Sequence, residues 1–228
     1  GSEMCIRDSR QLVRAADLPT LRDLVTRVRS IADGAALMTG TEVEVKVYSG
    51  VSTLVGNRPL EEMMQREFDK LGPVPFDTDD SGLANEIRQT LTKDDIAASF
   101  QRVGRETPAD LPLCNFVAPL DRTSSGGEGS TDVGDVSWVV PTVQARVATC
   151  AVGTPFHTWQ TVAQGKAPAA HKGMIHAAKV MAATASALIQ SPETIEAARA
   201  VHNDRQMKTP YQCPIPKEVG PPIINKSE

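Results

Sequence analysis

Residues 124–160, SSGGEGSTDVGDVSWVVPTVQARVATCAVGTPFHTWQ, constrain the fold more than any other stretch of the chain. They open in a Gly/Ser-rich loop that carries Glu128, Asp132 and Asp135. A β-branched apolar run follows, broken by Pro141, and the stretch ends at a Gly153-Thr154-Pro155 turn beside His157. Short β-branched runs bounded by glycine and proline predict buried strands, here over 136–140 and 143–151. Loop, buried strand, loop and histidine is how an α/β enzyme presents site residues at the end of a sheet strand.

The remaining chain fits such a plan. Residues 11–15 read as the tail of a strand. Leu21, Leu24, Val25, Val28, Ile31, Ala32 and Ala35 recur at helical spacing and predict a helix over 20–38, stopped by Gly40. Residues 42–48 alternate, with Val43, Val45 and Val47 on one face and Glu42, Glu44 and Lys46 on the other, which predicts a half-exposed strand. Asn57 and Pro59 open a new helix whose stripe is Leu60, Met63, Met64, Phe68 and Leu71, closed by Gly72. Further helices are predicted over 81–91, 92–100, 171–189 and 192–202. In the third of these, Met174, Ala178, Met181, Ala185 and Leu188 are expected to face the core. Residues 104–128 lack periodicity and hold three prolines, which marks a functional or mobile segment. The tail from Thr209 carries five prolines and is expected to drape irregularly.

Totals narrow the class. At 228 residues with 40% hydrophobic and 23% charged residues, the chain is an ordinary globular protein. A net charge of −4 gives no reason to expect nucleic acid or an anionic membrane as partner. No apolar run approaches the roughly 20 residues of a membrane span. Four cysteines without a CxxC pair suit free thiols in a reducing cytoplasm. Residues 1–9, GSEMCIRDS, resemble a cloning scar or a translated adapter fragment, a non-native leader that puts the native start upstream.

His157 is the one histidine in a loop after a predicted strand. It fits a zinc or manganese ligand or a hydrogen-bonded structural histidine, and a hydrolytic metal needs about three protein ligands. Ser130, Thr131, Asp132 and Asp135 fit either a substrate-contacting loop or a solvated acidic turn with a capping aspartate. Glycines 126, 127 and 129 allow close backbone approach there. His171 and His176 lie five apart and share no helical face. Glu61 and Glu62 suit an acidic first turn. No Walker loop, GxGxxG, GxSxG or HExxH is present.

The segments GSTDVGDVSWVVPTVQ, GTPFHTWQ and VAQGK…AHKGMIHAAKVMAATA resemble the C-terminal half of the aminoacylase/carboxypeptidase-type metallopeptidase (amidohydrolase) family, in its aminobenzoyl-glutamate branch. The likeness runs from about Val13 to Pro222. It implies an α/β fold: the C-terminal part of a zinc-peptidase-like mixed-sheet catalytic domain over 52–228, preceded over 10–50 by half of a ferredoxin-like α+β lid and dimerisation domain. It implies cleavage of an amide bond in N-acyl amino acids such as p-aminobenzoyl-glutamate, by a water held between two divalent metal ions, zinc or manganese. The family's other metal ligands, its catalytic glutamate and its lid histidine lie in the N-terminal half and have no counterpart here. What carries over is His157 as a metal ligand, with Ser130, Thr131, Asp132, Asp135, Gly153 and Thr154 near the substrate pocket. The resemblance also implies a cytoplasmic protein that forms a homodimer, or a heterodimer with a sister subunit. The chain is then expected to be a fragment that is inactive alone. The rival expectation is a non-catalytic partner subunit or binding module.

Overall fold

The computed structural model describes residues 8–101, 110–120 and 130–220. The leader expected over 1–9 lies almost wholly outside the described residues, as do Glu128 and the glycines at 126, 127 and 129. Eight helices are found among the described residues: α1 (Leu18–Thr39), α2 (Arg58–Leu71), α3 (Thr78–Arg88), α4 (Lys93–Gln101), α5 (Val133–Val139), α6 (Trp159–Gln164), α7 (Pro168–Ile189) and α8 (Pro192–Lys208). The described residues fall into two compact units. One holds residues 8–55, 130–139 and 211–220; the other holds 56–101, 110–120 and 140–210.

Among the described residues there is no strand, which overturns the expected mixed-sheet α/β catalytic domain and its α+β lid. Residues 11–15, 42–48 and 143–151 are non-helical, but a strand exists only when its backbone groups bond a neighbour. No second strand pairs with 42–48 among the described residues, and Val43 and Val45 remain 44% and 47% exposed. Residues 136–140 fail for a different reason. Gly134, Ser137 and Trp138 are the buried positions of α5, and spacings of three and four are helical, not strand-like.

Helix ends follow local chemistry. Asp17 caps α1 by accepting from Thr20 N at 2.8 Å, Pro19 occupies the first turn, and Gly40 ends the helix at φ 64°. Yet no residue of α1 is buried. Its apolar stripe is only partly covered: Leu21, Leu24, Val25 and Ala32 are half-buried, while Val28 and Ile31 are exposed. Asp77 and Asp80 form a reciprocal capping box on α3, and Thr92 and Asp95 do the same before α4.

The larger unit is built on helix packing. Helix α2 lies against α7 and α8, and α7 also meets α8. A second cluster joins Ala84, Ile87, Leu113, Ala151 and Ala169, with Phe76 beside it. Helix α7 turns a different face inward from the expected one. Ala169, Gly173, His176, Val180 and Thr184 are buried, while Met174 and Met181 are 61% and 52% exposed. Apolar periodicity therefore does not pick the inward face. Steric fit does: a Cβ at position 173 would lie 2.2 Å from the Ala148 carbonyl oxygen.

That approach yields a test. Gly173→Ala raises helix propensity by about 1 kcal/mol. The clash must nevertheless push the 148–149 backbone away, and overpacking costs about 1–3 kcal/mol. Urea denaturation is expected to show a net loss of stability; a gain would mean that the helix does not sit this close.

Candidate functional site

In the smaller unit the predicted loop residues gather at the start of α5. Ser130 and Asp132 are exposed. Thr131 begins the turn: its hydroxyl accepts from Val133 N at 3.3 Å and its carbonyl from Gly134 N at 3.1 Å. Asp135 points elsewhere. Its Oδ2 accepts from Ser52 N at 3.0 Å, and its Oδ1 accepts from Ser52 Oγ at 2.5 Å and Tyr211 Oη at 2.8 Å. Two further bonds run parallel to this clasp. Ser137 Oγ accepts from Val55 N at 3.0 Å, and Trp138 Nε1 donates to Thr53 O at 2.8 Å. The Trp138 and Tyr211 rings stack with centroids 6.5 Å apart. Gly134 is required here because a Cβ would lie 2.0 Å from Ser52 O.

Electrostatics follow from these contacts. Burial pushes the Asp135 carboxyl up, but the three donors, Ser52 Oγ, Ser52 N and Tyr211 Oη, outweigh it and hold the group below the ordinary aspartate value of 3.8. Burial first, then the bonds to Asp135 and Cys213, push the Tyr211 phenol up. Both shifts favour a carboxylate that accepts and a phenol that donates.

Gly153, Thr154 and His157 belong to the larger unit. Gly153 has φ 94°, and a Cβ there would sit 2.8 Å from Ile96 Cγ1. Thr154 Oγ1 donates to Ala151 O at 2.7 Å and accepts from Gln164 Nε2 at 3.1 Å. Gln164 is buried and acts as a hub: its Oε1 takes Ala151 N at 2.7 Å and its Nε2 also reaches Gln160 O at 3.0 Å. The Pro155 carbonyl accepts from the hydroxyls of Thr158 and Thr161 at 2.8 and 2.7 Å. On this pinned turn His157 adopts φ 63° and is exposed, flanked by exposed Phe156 and Trp159. A left-handed non-glycine residue stores local strain. Burial pushes the Cys150 thiol up, so this cysteine is no poised thiolate.

The structure thus brings Ser130, Thr131, Asp132 and Asp135 together at one helix start, and Gly153, Thr154 and His157 together in one turn. No group of three His, Cys, Asp or Glu side chains able to hold a metal ion is found among the described residues. His157 therefore belongs to no such group among the described residues. Sequence reasoning missed Ser52, Tyr211 and Gln164. Tyr211 had one available signal, as the sole aromatic of a proline-rich tail; a glutamine in a short helix has none, since the residue type is usually exposed.

No family model matches the chain, and no solved structure matches it. Among curated proteins the chain is similar to a hydrolase subunit. That relative is the B subunit of p-aminobenzoyl-glutamate hydrolase from Escherichia coli (strain K12), 39% identical over 220 residues, which are 92% of this chain and 46% of the relative. The chain spans about half the length of the curated relative it matches. No described helix is long and apolar enough to cross a membrane.

The clasp carries a pH prediction. A carboxyl depressed by folding stabilises the folded state above its unfolded value and loses that contribution as pH falls through its folded value. The contribution of Asp135 is therefore present above 3.8 and fades below it. Asp135→Asn is expected to lower stability at neutral pH by about 1.5–3 kcal/mol, the range for a hydrogen bond to a charged group. It should also flatten the dependence below about pH 4. Chemical denaturation across pH checks both, and an unchanged acid limb would remove Asp135 from this role.

Proposed function

We propose that the chain is part of a metal-dependent amidohydrolase that cleaves the amide bond of N-acyl amino acids such as p-aminobenzoyl-glutamate. The observation that carries this is the 39% identity to a p-aminobenzoyl-glutamate hydrolase subunit, sustained over 92% of the chain. Similarity at that level and length is far more specific than any single motif in the sequence.

In this reading His157 is a ligand to one of two zinc or manganese ions. Its exposure on a turn fixed by three polar contacts to Pro155 and Thr154 supports an imidazole presented outward. Ser130, Thr131, Asp132, Gly153 and Thr154 serve as pocket contacts. Asp135, whose oxygens are engaged by Ser52 and Tyr211, serves as a positioning residue for that loop. The described donors do not fit a two-metal centre, because a lone imidazole does not hold a catalytic ion. In the same reading the chain is inactive by itself. The relative's designation as a subunit supports a sister chain as partner; a second copy in its place, and a cytoplasmic location, belong to the same reading. The alternative is a non-catalytic partner subunit or binding module.

The test exchanges parts. The 220 matched residues replace their counterpart in the Escherichia coli protein, and release of p-aminobenzoate is followed. The hybrid is expected to hydrolyse p-aminobenzoyl-glutamate and to lose activity about 100-fold on His157→Asn, as for loss of support at a metal site. The chain alone is expected to release nothing and to carry no stoichiometric zinc or manganese by mass spectrometry. A folded, assembled hybrid without activity overturns the hydrolase reading in favour of the partner module. Stoichiometric metal on the chain alone overturns its inactivity.

A further inference from the structure

Glutamine is mostly a surface residue, yet Gln164 is only 4% exposed at the end of the six-residue helix α6. Its amide offers an oxygen and two hydrogens. All are used. Oε1 accepts from Ala151 N at 2.7 Å, and Nε2 donates to Thr154 Oγ1 at 3.1 Å and to Gln160 O at 3.0 Å. Thr154 closes a ring with them: its Oγ1 and its N both donate to Ala151 O, at 2.7 and 3.1 Å. The bond to Gln160 fixes the side chain on its own helix. The ring is therefore anchored on α6.

A second tie comes from the other side. The Pro155 carbonyl accepts from the hydroxyls of Thr158 and Thr161 at 2.8 and 2.7 Å. Thr158 caps α6 and Thr161 lies within it. The chain from 151 to 158 is thus fastened to α6 on the N-terminal side of His157 by Gln164 and next to it by the two threonines. What those restraints hold is a conformation that a histidine does not choose. His157 has φ 63° and is the one residue other than glycine with positive φ among the described residues. L-residues favour negative φ, and an exception persists only where its surroundings over-determine the backbone. His157 is also exposed, so packing does not supply the restraint. The buried amide does, through its neighbours.

We propose that Gln164 is the positioning residue for His157: through Ala151 and Thr154 it holds the turn that keeps His157 left-handed and exposed. Its consequence for catalysis rests on the hydrolase reading, in which His157 acts; its hold on the turn does not. A positioning role differs from general packing in its reach. Cutting the amide releases the turn around His157 and leaves the contacts among α2, α7 and α8 in place.

The test has two readouts. In the chain alone, nuclear magnetic resonance follows the short distance between the amide and α protons of His157 that marks a positive φ. The parent is expected to show it. Gln164→Glu keeps an acceptor for Ala151 N but loses both donors, and is expected to lose the signature. Gln164→Met loses all three bonds and should do the same. Gln160→Ala keeps the carbonyl that Gln164 uses and should match the parent. Amide shifts of α2, α7 and α8 should hold in all three. In the hybrid with the Escherichia coli protein, Gln164→Glu is expected to lower kcat about tenfold at unchanged KM, as for a lost support behind an acting histidine. A parent without the signature, or an unchanged His157 in a folded Gln164→Glu, overturns the proposal. So does unfolding of both Gln164 variants, which makes the glutamine a folding residue only. An inactive parent hybrid, with His157 released by Gln164→Glu in the chain alone, sinks the hydrolase reading and supports the hold on the turn. An active hybrid whose kcat ignores Gln164→Glu overturns the part in catalysis.

Discussion

One buried amide sets the register of the larger unit. Asn57 is 1% exposed, and its Nδ2 donates to the Ala198 carbonyl of α8 at 2.9 Å. Its own carbonyl accepts Glu61 N and so starts α2. Arg205 of α8 reaches back to the Gly56 carbonyl at 2.8 Å. Apolar contacts between α2 and α8 tolerate sliding by a turn, but a directional bond inside the seam does not. With α2 and α8 fixed to each other, the place of α7 against both is settled, and Gly173 allows it to come close to 148–149.

Local rules are legible wherever the chain decides its own ends. The start of α1 follows from the Asp17 cap, that of α2 from Pro59 in its first turn, and the stops from Gly40 and Gly72. What depends on distant partners is not legible. Asn57 has the residue type and position of an N-cap, yet its side chain makes no capping bond and serves a carbonyl 141 positions away. The inward face of α7 escapes the sequence pattern because the more apolar stripe, with Met174 and Met181, is the exposed one, while the buried face carries Gly173, His176 and Thr184. The expected strands fail on the same ground: β-branched composition states a preference, and pairing must come from elsewhere.

The candidate site divides the same way. Thr131 and Asp132 read as a turn and are one. Asp135 carries two sequence meanings, a capping aspartate and a substrate contact, and the structure gives it a third set of partners in Ser52 and Tyr211. The segment 52–55 and the tail at 211 meet α5 only through folding, so no spacing in the sequence announces them. His157 is visible in the sequence as a residue of interest, but its left-handed backbone is not, since no glycine or asparagine marks the position.

The unpaired run at 42–48 has a consequence at the surface. Val43 and Val45 are half-exposed and the backbone joins no ladder among the described residues, so its peptide groups are not engaged in sheet pairing. Glu42, Glu44 and Lys46 add charge to the same segment. Salt screens such surface charges, so it is the ionic environment, and not packing, that governs what this segment presents to solvent.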